Sequence, residues 1–155
     1  MLKICYDHGE ERSGSCYTVR KGIIYPHNRK NFNYHPNDAF NITHELSNIY
    51  SLVKIFNKYK YFYSYDGFTH MLHIAALCGC IPIVIPDEGV SKEEFIKNTP
   101  VNKYGIAYGI DDIEYAKSTL HLVKPHLQHI ESDGVESVKQ FVTYCYNHLN
   151  IKKQN

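Results

Sequence analysis

Neither sign of charge is in excess in this chain: 17 lysines and arginines nearly cancel 16 aspartates and glutamates over 155 residues. No global field is present to hold the molecule on a phosphate polymer or an acidic membrane, which sets nucleic acid aside as a partner. Nor does any stretch approach about 18 consecutive apolar residues, so no transmembrane segment is expected. The opening Met1-Leu2-Lys3-Ile4-Cys5-Tyr6-Asp7-His8 lacks the long apolar run of a signal peptide, and a cytoplasmic location is expected. No strand-like run is followed by Gly-x-Gly-x-x-Gly, which argues against a dinucleotide-binding enzyme. Tryptophan is absent and alanine scarce. That bias arises as easily from an AT-rich coding sequence as from selection on structure, and it excludes nothing.

Cysteine is limited to five residues, an odd number. Cys78 and Cys80 stand in an apolar run with only Gly79 between them, which suits buried thiols in a reducing compartment better than a disulfide framework. The ten histidines form no tight pattern with cysteine or carboxylate, and His70 and His73, three apart, are too few for a structural zinc site that needs four converging ligands. No metal is expected. No neighbour that would activate Cys78 or Cys80 as a nucleophile is evident.

What the chain does have is 43% apolar and 14% aromatic residues, ample for one buried core, and residues 1–155 are expected to form a single domain. After a polar lead-in to about Ser15, strand signals run from Cys16 to Tyr25, interrupted by Arg20-Lys21 and ended by Pro26. His27 to Asn41 carries turn chemistry and is expected to be a long loop. From Thr43, a plausible cap, Leu46, Ile49, Tyr50, Val53 and Phe56 recur at helical spacing as far as about Lys58.

Tyr61 to Tyr65 then predicts a strand, Asp66-Gly67-Phe68-Thr69 a turn, and His70 to Leu77 a helix closed by Cys78-Gly79-Cys80. Ile81 to Pro86 is a short continuous apolar run, the mark of a strand covered on both faces. A short helix over 91–97, a small strand within Tyr104–Gly109 and two final helices over about 113–129 and 135–149 complete the order. Strands alternating with helices imply an α/β fold: a Rossmann-like parallel sheet of about four strands with helices on both faces, binding ligands at the carboxyl ends of its strands.

Three features bear on chemistry. The turn Asp66 to Thr69 precedes a helix N-terminus, whose unpaired N–H groups attract phosphate, although Asp66 and Thr69 are equally ordinary capping residues. Arg20-Lys21-Gly22 joins two cations to a glycine that permits close backbone approach. It suits a diphosphate grip, or simply a solvated strand edge. Beyond the buried run, Asp87 to Glu94 offers carboxylates for the hydroxyls of a ribose, while Glu93 and Glu94 also suit the first turn of a helix.

Together, Ser15 to Gly22, Tyr65 to Thr69, His73 to Pro86, Ser91 to Glu94 and Tyr104 to Gly109 resemble the C-terminal, nucleotide-sugar-binding domain of GT-B-fold glycosyltransferases. The likeness is to polysaccharide or lipopolysaccharide biosynthesis enzymes of the WavE-like kind and covers roughly Gly14 to Thr119. It implies half of a two-domain enzyme, with Arg20, Lys21, Thr69 and His70 at the donor diphosphate and Asp66, Glu93 or Glu94 at the sugar or ribose. It implies no cofactor beyond the nucleotide-diphosphate sugar itself.

Ala75 and Ala76 stand where many relatives carry a helix glutamate. The N-terminal acceptor domain that commonly supplies the catalytic base is expected to be absent, so a glycan acceptor or a separate acceptor-domain chain is expected to complete the reaction. A noncatalytic interaction module or truncated remnant is the alternative, and an apolar stripe on the last helices offers a route to self-association.

Overall fold

The computed structural model describes residues 3–19, 33–44 and 48–148. Two compact units are present, residues 1–124 and 125–155. The first is built on a five-stranded, wholly parallel sheet: β1 (Ser13–Thr18), β2 (Phe40–Asn41), β3 (Tyr59–Ser64), β4 (Ile81–Val84) and β5 (Ala107–Tyr108), in the spatial order β2-β1-β3-β4-β5.

The expected α/β class and parallel sheet are therefore present, with one more strand than the pattern predicts. That extra strand is β2, two residues inside a segment expected to be loop throughout. β1 begins at Ser13, earlier than its β-branched residues suggest, because Ser13 to Thr18 pair with Tyr59 to Ser64 along the whole of β3. The second half of the predicted first strand, from Arg20 to Tyr25, lies outside the described residues.

Residue parity along the strands divides the core. Odd positions Tyr63, Tyr65, Ile81, Ile83, Ile85 and Ala107 gather with Ala116 of α4 (Ile113–Thr119) on one face. On the other, Phe62 packs its ring 4.9 Å from that of Phe56 in α1 (Ile49–Lys58). Helices thus cover both faces. Every residue of β4 is buried, as its unbroken apolar run requires.

Pro82, which has no N–H to give, is nonetheless tolerated in this central strand. The Ile85 amide donates to Ser64 of β3, whereas the Val84 carbonyl accepts from Gly109 beyond β5. Even positions of β4 therefore face β5, and that strand begins only opposite Ile83. The missing donor leaves no rung unmade.

α1 starts at Ile49, where the Asn48 side chain accepts from the Ser51 amide at 3.0 Å. Thr43, read from the sequence as the cap, instead lies in the turn after β2. α2 (Met71–Leu77) ends at Gly79, whose φ of +82° permits Gly79 to donate to Ala76 and Cys80 to Ala75, each at 3.0 Å. This αL closure is the one predicted at Cys78-Gly79-Cys80.

α3 (Lys92–Asn98) is capped by Ser91, which accepts from the Glu94 amide. The two predicted terminal helices are divided differently from the expectation: α4 closes at Thr119, a 3-10 turn covers Leu120–Leu122, and α5 runs unbroken from Val123 to His148. Pro125 falls in the first turn of α5, where its missing N–H costs nothing, and Gly134 is carried through at about 1 kcal/mol instead of ending the helix.

Candidate functional site at the carboxyl ends of β1 and β3

The strand order puts the topological switch point between β1 and β3, since β1 is followed by β2 on one side and β3 by β4 on the other; in open parallel sheets of this kind ligands bind at the carboxyl ends of the strands at such a point. Thr18 ends β1 there, fully buried, and among the described residues its Oγ1 has no hydrogen-bond partner. A buried hydroxyl in that condition costs about 1–3 kcal/mol unless a ligand or water meets it. The next residue, Val19, donates its amide to Thr43 Oγ1 at 3.3 Å, which ties the end of β1 to the turn after β2.

Beside Thr18 on β3, Ser64 Oγ donates to the Asp66 carbonyl at 2.8 Å and accepts from the Asp66 amide at 3.2 Å. Asp66 is 8% exposed and its Oδ1 accepts from the Phe68 amide at 3.0 Å, closing an Asx turn. Gly67 is required in that turn, because a Cβ there would stand 2.8 Å from the Phe95 ring of α3. The Gly67 carbonyl is in turn held by Asn102 Nδ2 at 2.9 Å.

Three aromatic side chains, Tyr17, His35 and Tyr65, meet near the same strand ends. His35 stacks on Tyr17 with centroids 3.6 Å apart and 15° between planes, and its Nδ1 lies 2.8 Å from the hydroxyl of buried Tyr65. The same hydroxyl accepts from the Tyr34 amide at 2.9 Å. Burial holds the His35 pKa below its ordinary 6.5. A histidine with a lowered folded-state pKa contributes its full stability above the unfolded value and loses it as pH falls below 6.5 toward the folded value, since the unfolded chain then binds more protons.

Acidification from pH 7 to about 5 should thus loosen residues 33–39, with faster amide exchange at Tyr34. Tyr65→Phe should speed that exchange at pH 7 as well, by about 5- to 10-fold for one lost hydrogen bond. An exchange rate indifferent to both changes would exclude this latch.

The residues singled out from the sequence fall around this edge. Arg20 and Lys21 follow Val19 directly and lie outside the described residues. Thr69 precedes α2 and accepts from the Met71 amide through a long 3.4 Å contact. His70, at the cap position, makes no side-chain capping bond and is exposed, its ring centroid 6.3 Å from that of His73. Glu93 and Glu94 are exposed in the first turn of α3. The Glu93 carboxyl is held below its usual range by backbone hydrogen bonding and by the Ser91 hydroxyl, so it serves the helix start.

The sequence reading missed Tyr17, Thr18, His35 and Thr43. Its only signal for His35 was the adjoining Pro36-Asn37-Asp38 turn, which the Ala39-to-Pro36 bond forms at 3.0 Å.

All five cysteines are free thiols. Burial pushes Cys78 up to about 12 and Cys80 well above its ordinary value, so neither is a thiolate at neutral pH. Among the described residues no three His, Cys, Asp or Glu side chains converge as metal ligands, and no helix is long and apolar enough to cross a membrane.

The described residues define an α/β protein built on a parallel sheet. No family model, no curated protein and no solved structure matches the chain.

Proposed function

We propose that the chain is the donor-binding, Rossmann-like half of a GT-B-type glycosyltransferase, holding a nucleotide-diphosphate sugar in the crevice beyond β1 and β3. The observation that carries this reading is the fully buried Thr18 hydroxyl at the switch point, which has no hydrogen-bond partner among the described residues and stands two residues before Arg20-Lys21 and beside the strand that leads into the Asp66 turn. In this reading Arg20 and Lys21 neutralise the diphosphate, first in the bound donor and then as it leaves. Thr69 and the His70 amide line its other side, Asp66 orients the turn toward the sugar, and Glu93 or Glu94 meets the ribose. The acceptor glycan and the catalytic base come from an acceptor-binding domain or partner chain. A cytoplasmic, reducing setting agrees with the five free thiols.

Two charged contacts at about 1.5–3 kcal/mol each give roughly 3–6 kcal/mol before ordering costs, so a millimolar to high-micromolar constant is expected for this half by itself. Calorimetry and thermal shift against UDP, GDP, CMP and their sugar conjugates should find one saturable ligand, with binding abolished in Arg20→Ala/Lys21→Ala. A folded chain indifferent to all of them at millimolar concentration removes the reading. It would leave the noncatalytic interaction module ahead, which a separate observation favours. Val135, Val138, Phe141 and Val142 of α5 are exposed, Val138 and Phe141 at 62% and 67%, and these apolar side chains at helical spacing suit self-association or a partner.

A further inference from the structure

A concave surface lies between residues 3–8 and α1, lined by neither β1 nor β3. Asn57, 2% exposed, builds it: its Oδ1 accepts from the His8 amide at 2.8 Å, and its Nδ2 donates to the Tyr6 and Val53 carbonyls at 3.1 and 3.0 Å. The N-terminal segment is thereby pinned to the helix, and a groove of about 360 Å³ opens between them, lined by Lys3, Tyr6, His8, Tyr50, Val53 and Lys54 among others.

Its chemistry is one-sided. Two ammonium groups and an imidazole stand around an apolar floor, and no carboxylate is among the lining residues. His8 faces Glu10 at 3.8 Å, whereas among the described residues neither Lys3 nor Lys54 has an ion-pair partner. Tyr6 and Tyr50 are 57% and 64% exposed, so their rings are presented to solvent instead of packed in the core. The volume falls within the range of small-molecule sites, which are mostly apolar with a few placed polar groups. Aromatic faces take a flat apolar body, and ammonium groups take the negative charge attached to it.

We infer that this groove binds a small planar aromatic anion, a ring bearing a phosphate or carboxylate, with the ring against Tyr6 and Tyr50 and the charge between Lys3 and Lys54. The site is independent of the donor crevice and has its own basic pair.

The test is an amide NMR titration of the full chain with 1-naphthyl phosphate, with neutral 1-naphthol in parallel. Saturable shifts should centre on Tyr6, His8, Tyr50 and Val53, with a constant near roughly 1 mM. Lys54→Glu should weaken binding by about fivefold, and the neutral compound should be weaker by a similar factor. Tyr50→Ala, at an exposed position that leaves the fold intact, should weaken it too, while Arg20→Ala/Lys21→Ala should leave it unchanged. Equal affinity for 1-naphthol, shifts confined to α5, loss of binding in the Arg20/Lys21 variant, or no shift in a folded chain at about 5 mM would each overturn the assignment.

Discussion

Gly105→Ala is expected to lower unfolding stability by about 2–5 kcal/mol, a backbone and a packing cost together. Gly105 sits at φ +68°, where a side chain costs about 1–2 kcal/mol. A Cβ there would lie 2.2 Å from Val123 Cγ2 and 3.4 Å from the backbone Cα of Leu120. Val123 is short, β-branched and buried, so it has little room to retreat, and overpacking of this kind costs about 1–3 kcal/mol more.

Gly89→Ala separates the two contributions. Gly89 has φ +79° with nothing within 4 Å of a built Cβ, so only the backbone cost of about 1–2 kcal/mol applies. Urea denaturation should show both midpoints lowered at constant m, Gly105→Ala by clearly more. Equal losses would mean that the contact of Gly105 with the Leu120–Val123 segment is not tight.

Legibility in the sequence followed burial. β4 could be read directly because Ile81 to Val84 is apolar on both faces, and the end of α2 because Gly79 supplies the αL closure. β2 could not, because two exposed residues, Phe40 and Asn41, carry no alternation and are strand only through pairing with Cys16 and Tyr17. The last helices were expected to part between about 129 and 135, where α5 in fact continues, since local turn preference is visible in sequence while the continuity of a helix is not.

The site divides in the same way. The Asp66 turn is a local signature and was found. The pairing of His35 with Tyr65 across 30 positions, and the lone hydroxyl of Thr18 within an ordinary strand, depend on topology and had no local signal.

Arg12→Met should be nearly as damaging as the Gly105 change, at about 2–4 kcal/mol, because Arg12 satisfies acceptors from three parts of the chain at once. Its Nη2 donates to the Cys78 carbonyl at 2.6 Å, to Asn57 Oδ1 at 3.0 Å and to Asp7 Oδ1, and its Nη1 to the Glu10 carbonyl at 3.3 Å. The Cys78 carbonyl closes α2, so the guanidinium also meets the negative end of that helix. Methionine keeps the stem and removes every donor. Arg12→Lys should recover only part of the loss, since one ammonium lacks the planar fork that reaches several acceptors together.

Asp7 makes the effect depend on pH. Burial by itself would raise its carboxyl, but the hydrogen bonds from Arg12 and the Gly9 amide outweigh burial and hold it below its ordinary 3.8. An acid with a lowered folded-state pKa stabilises fully above the unfolded value and loses that contribution as pH falls through the folded one. Asp7 is 51% exposed, so solvent screens its share, and most of the loss comes from the carbonyl and amide acceptors. Urea unfolding of the two proteins should therefore show a large gap at pH 7 that narrows, without closing, near pH 3. A gap that vanishes in acid would make Asp7 the main partner, and one that does not change would remove Asp7 from the clamp.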